Sequence, residues 1–333
     1  MATLPLVIST PDGSGQPVHP DIVDSVSGFA GHRFWLACTP YPYGDDQLEN
    51  PVIRVSDDGT HWSVPARVPD PVVEAPKELG YHWSDTDLVL SDGRLFLFFR
   101  GCMRGRDEAQ LHLTTSNDGA SWTTPEVIHT GQWALSPAVV HEPGGWSMWH
   151  IWCDGSTSRL LRQKADAPVA WQSPEVCRLI IPGHVPWHID VVSVGSGYEA
   201  LICAFPTGTD PSRCRLFHAS SADGLAFSIS GPTPLMKPNR VGWPNRMIYR
   251  STFLKQDDGT YRIWFSGASW GMRCGVGLVE GPLDKLVPVT AGTYRPALLA
   301  SVREDLKGIA TYIAIHRTPP WLRGLLRRLV RRG

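Results

Sequence analysis

The chain has 333 residues, 42% of them hydrophobic and 19% charged, with a net charge of −1. This is globular rather than disordered composition, and the near-neutral balance excludes a general electrostatic attraction to nucleic acid or membrane. Glycine (32), proline (29) and tryptophan (14) are abundant, which suits an all-β chain with many tight turns and broad aromatic packing.

Met1 to Pro5 carries no charged leader, and no run of about 18 apolar residues occurs anywhere. No signal peptide or membrane span is expected, and the expected setting is cytoplasmic or virion-associated. The seven cysteines (Cys38, Cys102, Cys153, Cys177, Cys203, Cys214 and Cys274) form no CxxC pair and mostly sit in apolar runs. They read as free buried thiols of a reducing compartment.

Five β-rich segments then follow in order. They begin at Pro20-Asp21-Ile22-Val23, Thr86-Asp87-Leu88-Val89, Pro137-Ala138-Val139-Val140, Ile189-Asp190-Val191-Val192 and Ser251-Thr252-Phe253-Leu254. Each leads through a glycine-containing turn into a second apolar strand: Phe34–Thr39, Leu95–Arg100, Trp146–Trp152, Tyr198–Phe205 and Tyr261–Ser266. A third strand ends in an Asp-Gly turn, seen in Ser56-Asp57-Asp58-Gly59-Thr60-His61-Trp62, Ser116-Asn117-Asp118-Gly119-Ala120-Ser121-Trp122 and Ser221-Ala222-Asp223-Gly224-Leu225-Ala226-Phe227. A degenerate copy, Lys164-Ala165-Asp166-Ala167, is followed by Trp171. In such a turn the aspartate accepts backbone N–H bonds, glycine takes positive φ, and the aromatic packs under the blade. The repeats predict an all-β, five-bladed β-propeller filling residues 18–300.

Helical periodicity is expected only beyond Thr318-Pro319-Pro320. There, apolar residues at 321, 322, 325, 326, 329 and 330 alternate with arginines at 323, 327, 328, 331 and 332. The domain reading is a propeller over residues 1–317 and an amphipathic basic arm over 318–333. The arm is open to a protein partner, its own propeller or a membrane surface.

The first strand of each blade lines the axis of a propeller, so equivalent positions stack into rings. One ring holds Asp21, Asp87, Ala138, Asp190 and Thr252; another, two residues earlier, holds His19, Asp85, Ser136, His188 and Arg250. Charges in a channel need partners, so the polar ring predicts a polar ligand, with mutual neutralisation as the alternative. The loops between second and third strands are expected to open on the same face. Tyr41, Tyr43, Trp83, Trp187 and Trp270 offer flat surfaces for sugar rings. No cofactor is expected apart from an axial structural Ca²⁺. A catalytic metal held by the His and Asp residues of the rings is the rival reading, which no sequential motif supports.

His19-Pro20-Asp21, the stretch Arg33 to Pro42, Glu49-Asn50-Pro51 and the Asp-Gly turns resemble the five-bladed glycoside hydrolases of the arabinanase, xylosidase, invertase and levansucrase superfamily, and uncharacterised bacterial and phage propellers of sialidase-like type. The resemblance implies hydrolysis of an oligo- or polysaccharide, with Asp21 as base or nucleophile. It also implies a second carboxylate (Asp87 or Asp85) as modulator and an acid (Asp190 or Glu49). His19, Asp85, His188, Arg250 and the aromatic residues would bind the substrate. The family's acidic glutamate is missing from the inner strands. A non-catalytic carbohydrate-binding propeller, docked through its arm into a phage or surface assembly, is therefore the alternative, and a purely structural axis a third.

Overall fold

The inner strand of each blade runs along one axis, and the outer strands fan away from it. In the computed structural model the described residues are 2–76, 80–103, 108–132, 135–153, 157–292 and 294–317. A short N-terminal strand, β1 (Ala2–Thr3), precedes blade one, which contains β2 (Pro17–Phe29), β3 (His32–Pro40) and β4 (Val52–Ser56). Blade two contains β5 (Tyr81–Ser91), β6 (Arg94–Met103), β7 (Glu108–Ser116) and β8 (Glu126–Gln132). Blade three contains β9 (Leu135–Glu142), β10 (Gly145–Cys153), β11 (Ser158–Ala165) and β12 (Glu175–Val176). Strand β13 (Arg178–Leu179) adds in parallel to the outer edge of blade four, which contains β14 (His184–Val194), β15 (Gly197–Pro206), β16 (Arg215–Ser221) and β17 (Ala226–Ile229). Blade five contains β18 (Met247–Lys255), β19 (Tyr261–Ala268), β20 (Cys274–Gly281) and β21 (Val287–Pro288). Strand β22 (Ala291–Gly292) pairs with β1 in a separate two-stranded sheet. The predicted five-bladed propeller is the observed fold.

Second strands such as β3 and β10 are apolar on both faces because each is sandwiched between neighbouring blades. Tryptophans from three of them, Trp35, Trp149 and Trp264, reach across a blade boundary to an Asp-Gly turn. Trp264 Nε1 donates to Gly59 O at 2.9 Å, and Trp149 Nε1 to Gly224 O at 2.8 Å. A methyl on Gly59 or Gly224 would stand 2.9 Å and 2.7 Å from those indoles, and one on Gly119 would overlap Trp35. The turn glycines therefore serve packing between blades as well as positive φ. Within the turns, Asp58 Oδ1 accepts from Thr60 N and His61 N at 2.7 and 2.8 Å, as the motif predicts. Trp62 is buried in the core and Trp122 packs against it. All seven cysteines are free thiols, six of them buried.

The expectation that helix begins only after residue 318 is corrected. An α-helix, α1 (Tyr294–Arg317), follows the last blade. It hides from a periodicity search because apolar residues occur on both of its sides: Ile315 is buried, while Val302, Leu306, Ile309 and Ile313 are exposed. No helix among the described residues is long and apolar enough to cross a membrane. The predicted arm, 318–333, lies outside the described residues.

Candidate active site

Every inner strand carries an irregularity in its pairing where the two polar rings lie: between Val18 and Asp21, Ser84 and Asp87, Pro186 and His188, and Ile248 and Ser251, and opposite Trp149 and Ile151 in blade three. His19, Asp85 and Ser136 take left-handed φ of 54°, 53° and 51° there. Such bulges re-aim side chains. The rings accordingly become two separate clusters: His19, Asp85 and His188 in one, and Asp21, Asp87 and Asp190 in the other.

In the buried aspartate cluster Asp21 and Asp87 are engaged, while Asp190 Oδ2 has no hydrogen-bond partner among the described residues. Asp21 accepts Leu88 N–H of blade two and Thr252 Oγ1–H of blade five. Asp87 accepts Val139 N–H of blade three at 3.1 Å and Arg250 Nη2–H at 3.2 Å. Arg250 also donates to Pro137 O at 2.9 Å. Burial pushes all three carboxyls above the ordinary aspartate value; Arg250 opposes this, and neighbouring carboxylates add to it at Asp87 and Asp190. One oxygen from each lies within 4.8 Å of the others. A cavity of about 260 Å³ adjoins the cluster and runs past Val23, Val89, Val140, Val192 and Leu254. Those residues lie further along the inner strands, so the aspartates face the apolar part of the channel. This corrects the expectation that all the charged ring residues gather at the mouth. Ala138 is buried in the core, beside Trp149.

The second cluster is built around Asp85, which is fully buried. Its Oδ2 accepts Ser136 N–H at 3.2 Å and stands 3.2 Å from Arg100 Nε. Its Oδ1 faces His19 Nε2 at 3.1 Å and His188 Nδ1 at 3.7 Å. Burial alone would raise the Asp85 carboxyl, but Arg100 first, then His188 and His19 when protonated, and Arg250 outweigh it and hold it well below the usual carboxylate range. Burial also lowers both imidazoles, His19 to about 4 and His188 well below its ordinary value, so both are neutral near pH 7. His19 Nδ1 meets Thr39 Oγ1 at 3.0 Å, and His188 Nδ1 meets Ser136 Oγ. His19 Nε2, His188 Nε2 and Asp85 Oδ1 have no hydrogen-bond partner among the described residues.

Glu49 enters this cluster from the loop between β3 and β4. Two short 3₁₀ turns, Pro42–Gly44 and Asp46–Leu48, shape the loop, and Trp83 N–H donates to Glu49 O at 3.2 Å. The carboxylate stands 3.9 Å from His19 Nδ1 and 3.9 Å from His82 Nε2. Burial, reinforced by Asp85, raises it well above the usual glutamate value. Tyr249 closes one side: its ring centroid lies 4.4 Å from that of His188 and 5.5 Å from that of His19. Trp187 Nε1 donates to Tyr249 Oη at 3.0 Å. Burial raises the Tyr249 phenol well above its ordinary value, so it keeps its proton.

The other predicted contacts divide. Tyr41 is half-buried and, like Tyr249, packs against the core cluster that contains Phe205, Met247 and Met272. Trp83 turns onto Phe99 and His112, with ring centroids 5.1 and 5.6 Å away, rather than into the mouth. Trp270 is exposed, beside Arg246. His82, Arg100 and Tyr249 belong to the cluster but are absent from the sequence expectation. Their signals are local: His82 lies three residues before Asp85, Arg100 pairs across from Ser84, and Tyr249 adjoins Arg250.

No family model matches the chain. It is 25% identical over 313 residues to the A type blood N-acetyl-alpha-D-galactosamine deacetylase of Flavonifractor plautii; the match takes in 75% of this chain and 40% of that protein's length. A crystal structure of an N-acetylgalactosamine deacetylase from the same organism, in complex with blood group B trisaccharide, superposes with a TM-score of 0.74 at 23% identity, covering 80% of this chain and 86% of that one. A xylan β-1,4-xylosidase from Bacillus halodurans gives a TM-score of 0.61 at 13% identity, covering 88% and 60% of the two chains. An endo-arabinase from Bacteroides thetaiotaomicron gives 0.58 at 13%, covering 88% and 100%. The chain thus has the five-bladed β-propeller fold of the family-43-type glycoside hydrolases and of a deacetylase built on the same fold.

Proposed function

We propose that the cluster around Asp85 is the active centre of a cation-assisted deacylase that removes an N-acyl group from an amino sugar. The observation that carries this reading is the set of three buried donors, His19, Asp85 and His188, gathered within 4.8 Å around atoms that lack hydrogen-bond partners. Two ligands about 2.1 Å from one cation, at roughly right angles, stand about 3 Å apart. The His19 Nε2 to Asp85 Oδ1 separation of 3.1 Å fits that requirement. Neutral imidazoles and an ionised carboxylate are the protonation states that a divalent cation needs. This reading takes up the rival drawn from the sequence, a catalytic metal held by His and Asp residues of the rings, and assigns it to His19, Asp85 and His188. A bound cation would supply Lewis acidity toward the acyl oxygen and toward water.

The chain's own residues supply the proton traffic. Glu49, in its ionised form, takes a proton from the attacking water as oxygen adds to the acyl carbon. It returns that proton to the sugar nitrogen as the C–N bond breaks, leaving a free amine and a carboxylic acid. The Tyr249 hydroxyl, fixed by Trp187, offers an O–H donor at the edge of the site. Arg100 holds Asp85 ionised. The partial relative, itself a deacetylase of an N-acetylated sugar, supports the reaction class.

Glycoside hydrolysis at Asp21, Asp87 and Asp190 is the second reading, favoured by three carboxylates in one place. Against it, Asp21 and Asp87 are buried and already accept N–H groups of neighbouring blades, and the cluster faces the apolar part of the channel. One experiment separates the two. Purified protein supplied with a divalent cation is incubated with N-acetylgalactosamine- and N-acetylglucosamine-containing oligosaccharides, and acetate, free amine and reducing ends are all assayed. Acetate with matching amine, abolished in Glu49→Gln, is expected. New reducing ends without acetate, lost in Asp21→Asn, would sink the deacylase.

A further inference from the structure

Beside the candidate centre lies a second recess, of about 300 Å³, within the size range of small-ligand sites. Tyr249 belongs to both: one ring contacts His19 and His188 and also lines the recess. The far wall is not made by the propeller. It consists of Tyr312 and His316 on the last turns of α1, whose rings lie 4.3 Å apart.

The position of α1 is fixed by close backbone contact. A methyl on Gly271, in the β19–β20 loop, would stand 2.5 Å from Asp305 O, and one on Gly308 would overlap Gly271. Asn245 Nδ2 donates to Asp305 Oδ2 at 3.1 Å, and Arg273 faces Glu304 at 3.8 Å. The helix is thus held against blade five by its middle, and its C-terminal end projects over the blade-one loop. There Gly44 lies close to Tyr312 and His316, where a methyl would come within 3.5 and 3.7 Å of them. Arg246 and Ser212 contribute polar groups from blades five and four. His316 Nε2 and Arg246 Nε are buried atoms with no hydrogen-bond partner among the described residues.

We infer that this recess is the subsite for a second sugar, glycosidically linked to the one at the axial centre, and that Tyr312 and His316 of α1 determine specificity for it. Flat aromatic faces beside unpaired polar donors suit a pyranose, which presents an apolar C–H face and a rim of hydroxyls. A centre that acted on monosaccharides alone would gain nothing from a helix placed over this edge. The inference rests on the deacylase reading in naming the ligand a sugar and in placing the first sugar at the axial centre.

The test compares N-acetylgalactosamine with the blood group A trisaccharide that carries it, using calorimetric binding and acetate release on the full chain with its cation. The wild type is expected to bind the trisaccharide about tenfold or more tighter than the monosaccharide. Tyr312→Ala and His316→Ala should remove most of that advantage and leave monosaccharide binding unchanged. Leu306→Ala, on the exposed side of the same helix, should change neither. Equal binding of the two sugars by the wild type, no binding of either, or α1 variants that keep the advantage or weaken both sugars alike, would overturn the subsite. Loss of the advantage in the α1 variants without acetate release from any form would uphold the subsite and discard the deacylase.

Discussion

Asp85 Oδ1 stands 3.1 Å from His19 Nε2, and the two residues occupy the same left-handed position in adjacent blades, with φ of 53° and 54°. A left-handed non-glycine residue costs about 1–2 kcal/mol, and such conformations persist where the surroundings hold them. Here the surroundings are hydrogen bonds between blades: His19 N–H donates to Ser266 Oγ at 3.0 Å, and Thr86 Oγ1–H donates to His19 O at 2.7 Å. The bend aims both side chains at one point while the strand continues beyond it.

The two clusters should therefore separate in experiment. Wild-type protein stripped with a chelator is expected to take up about one equivalent of Zn²⁺ or Mn²⁺ and to gain thermal stability from it. Asp85→Asn should lose that uptake and its stabilisation. Asp21→Ala should keep the uptake but lose about 1–3 kcal/mol of folding stability, because Leu88 N–H is left buried without an acceptor. Metal analysis after gel filtration, with urea denaturation of each variant, reads both effects; uptake that survives Asp85→Asn places the cation elsewhere.

Gly119→Ala tests the packing between blades one and two. The new methyl would meet the Trp35 indole at a φ of +72°, so a loss of about 2 kcal/mol or more is expected. Gly231→Ala, where nothing lies within 4 Å, should be nearly neutral. Comparable denaturation midpoints for the two variants would show that the turn glycines do not depend on the neighbouring tryptophan.

A pH effect is expected at the junction of blades four and five. Glu199 accepts from Lys255 Nζ at 2.6 Å and Tyr261 Oη at 2.7 Å, and His218 Nε2 lies 3.1 Å away. Burial raises its carboxyl, but these bonds outweigh burial and hold it below the usual glutamate value. A depressed carboxyl stabilises the fold above its unfolded pKa and loses that contribution as pH falls through the folded one. Glu199→Gln should cost about 1.5–3 kcal/mol at pH 7, and the gap should close only below about pH 4.3. Denaturation of both proteins at pH 7 and pH 3.5 measures the gap; one that is unchanged between them contradicts the assignment.

The sequence by itself determined the repeat. Asp-Gly turns at blade spacing and apolar second strands can bury their surfaces only by stacking neighbours around an axis, and that logic fixes the five blades and the chemistry-bearing residues His19, Asp21, Asp85, Asp87, His188 and Asp190 on their inner strands. What only the tertiary structure decided is where each ring faces and what meets it. The bulges leave Asp21, Asp87 and Asp190 beside the apolar part of the channel, with Arg250 crossing from the other ring to Asp87, and gather His19, Asp85 and His188 with Arg100 and Glu49, because pleat periodicity describes a regular strand and not one that turns left-handed in its middle. His82, Arg100 and Tyr249 lie next to or across from ring residues, and Glu49 enters from the loop between β3 and β4; the folded blades bring all four to the second cluster. Helix α1 was illegible for a related reason: one of its sides is apolar for the propeller and the other stays apolar in the open, so its pattern carries no single face.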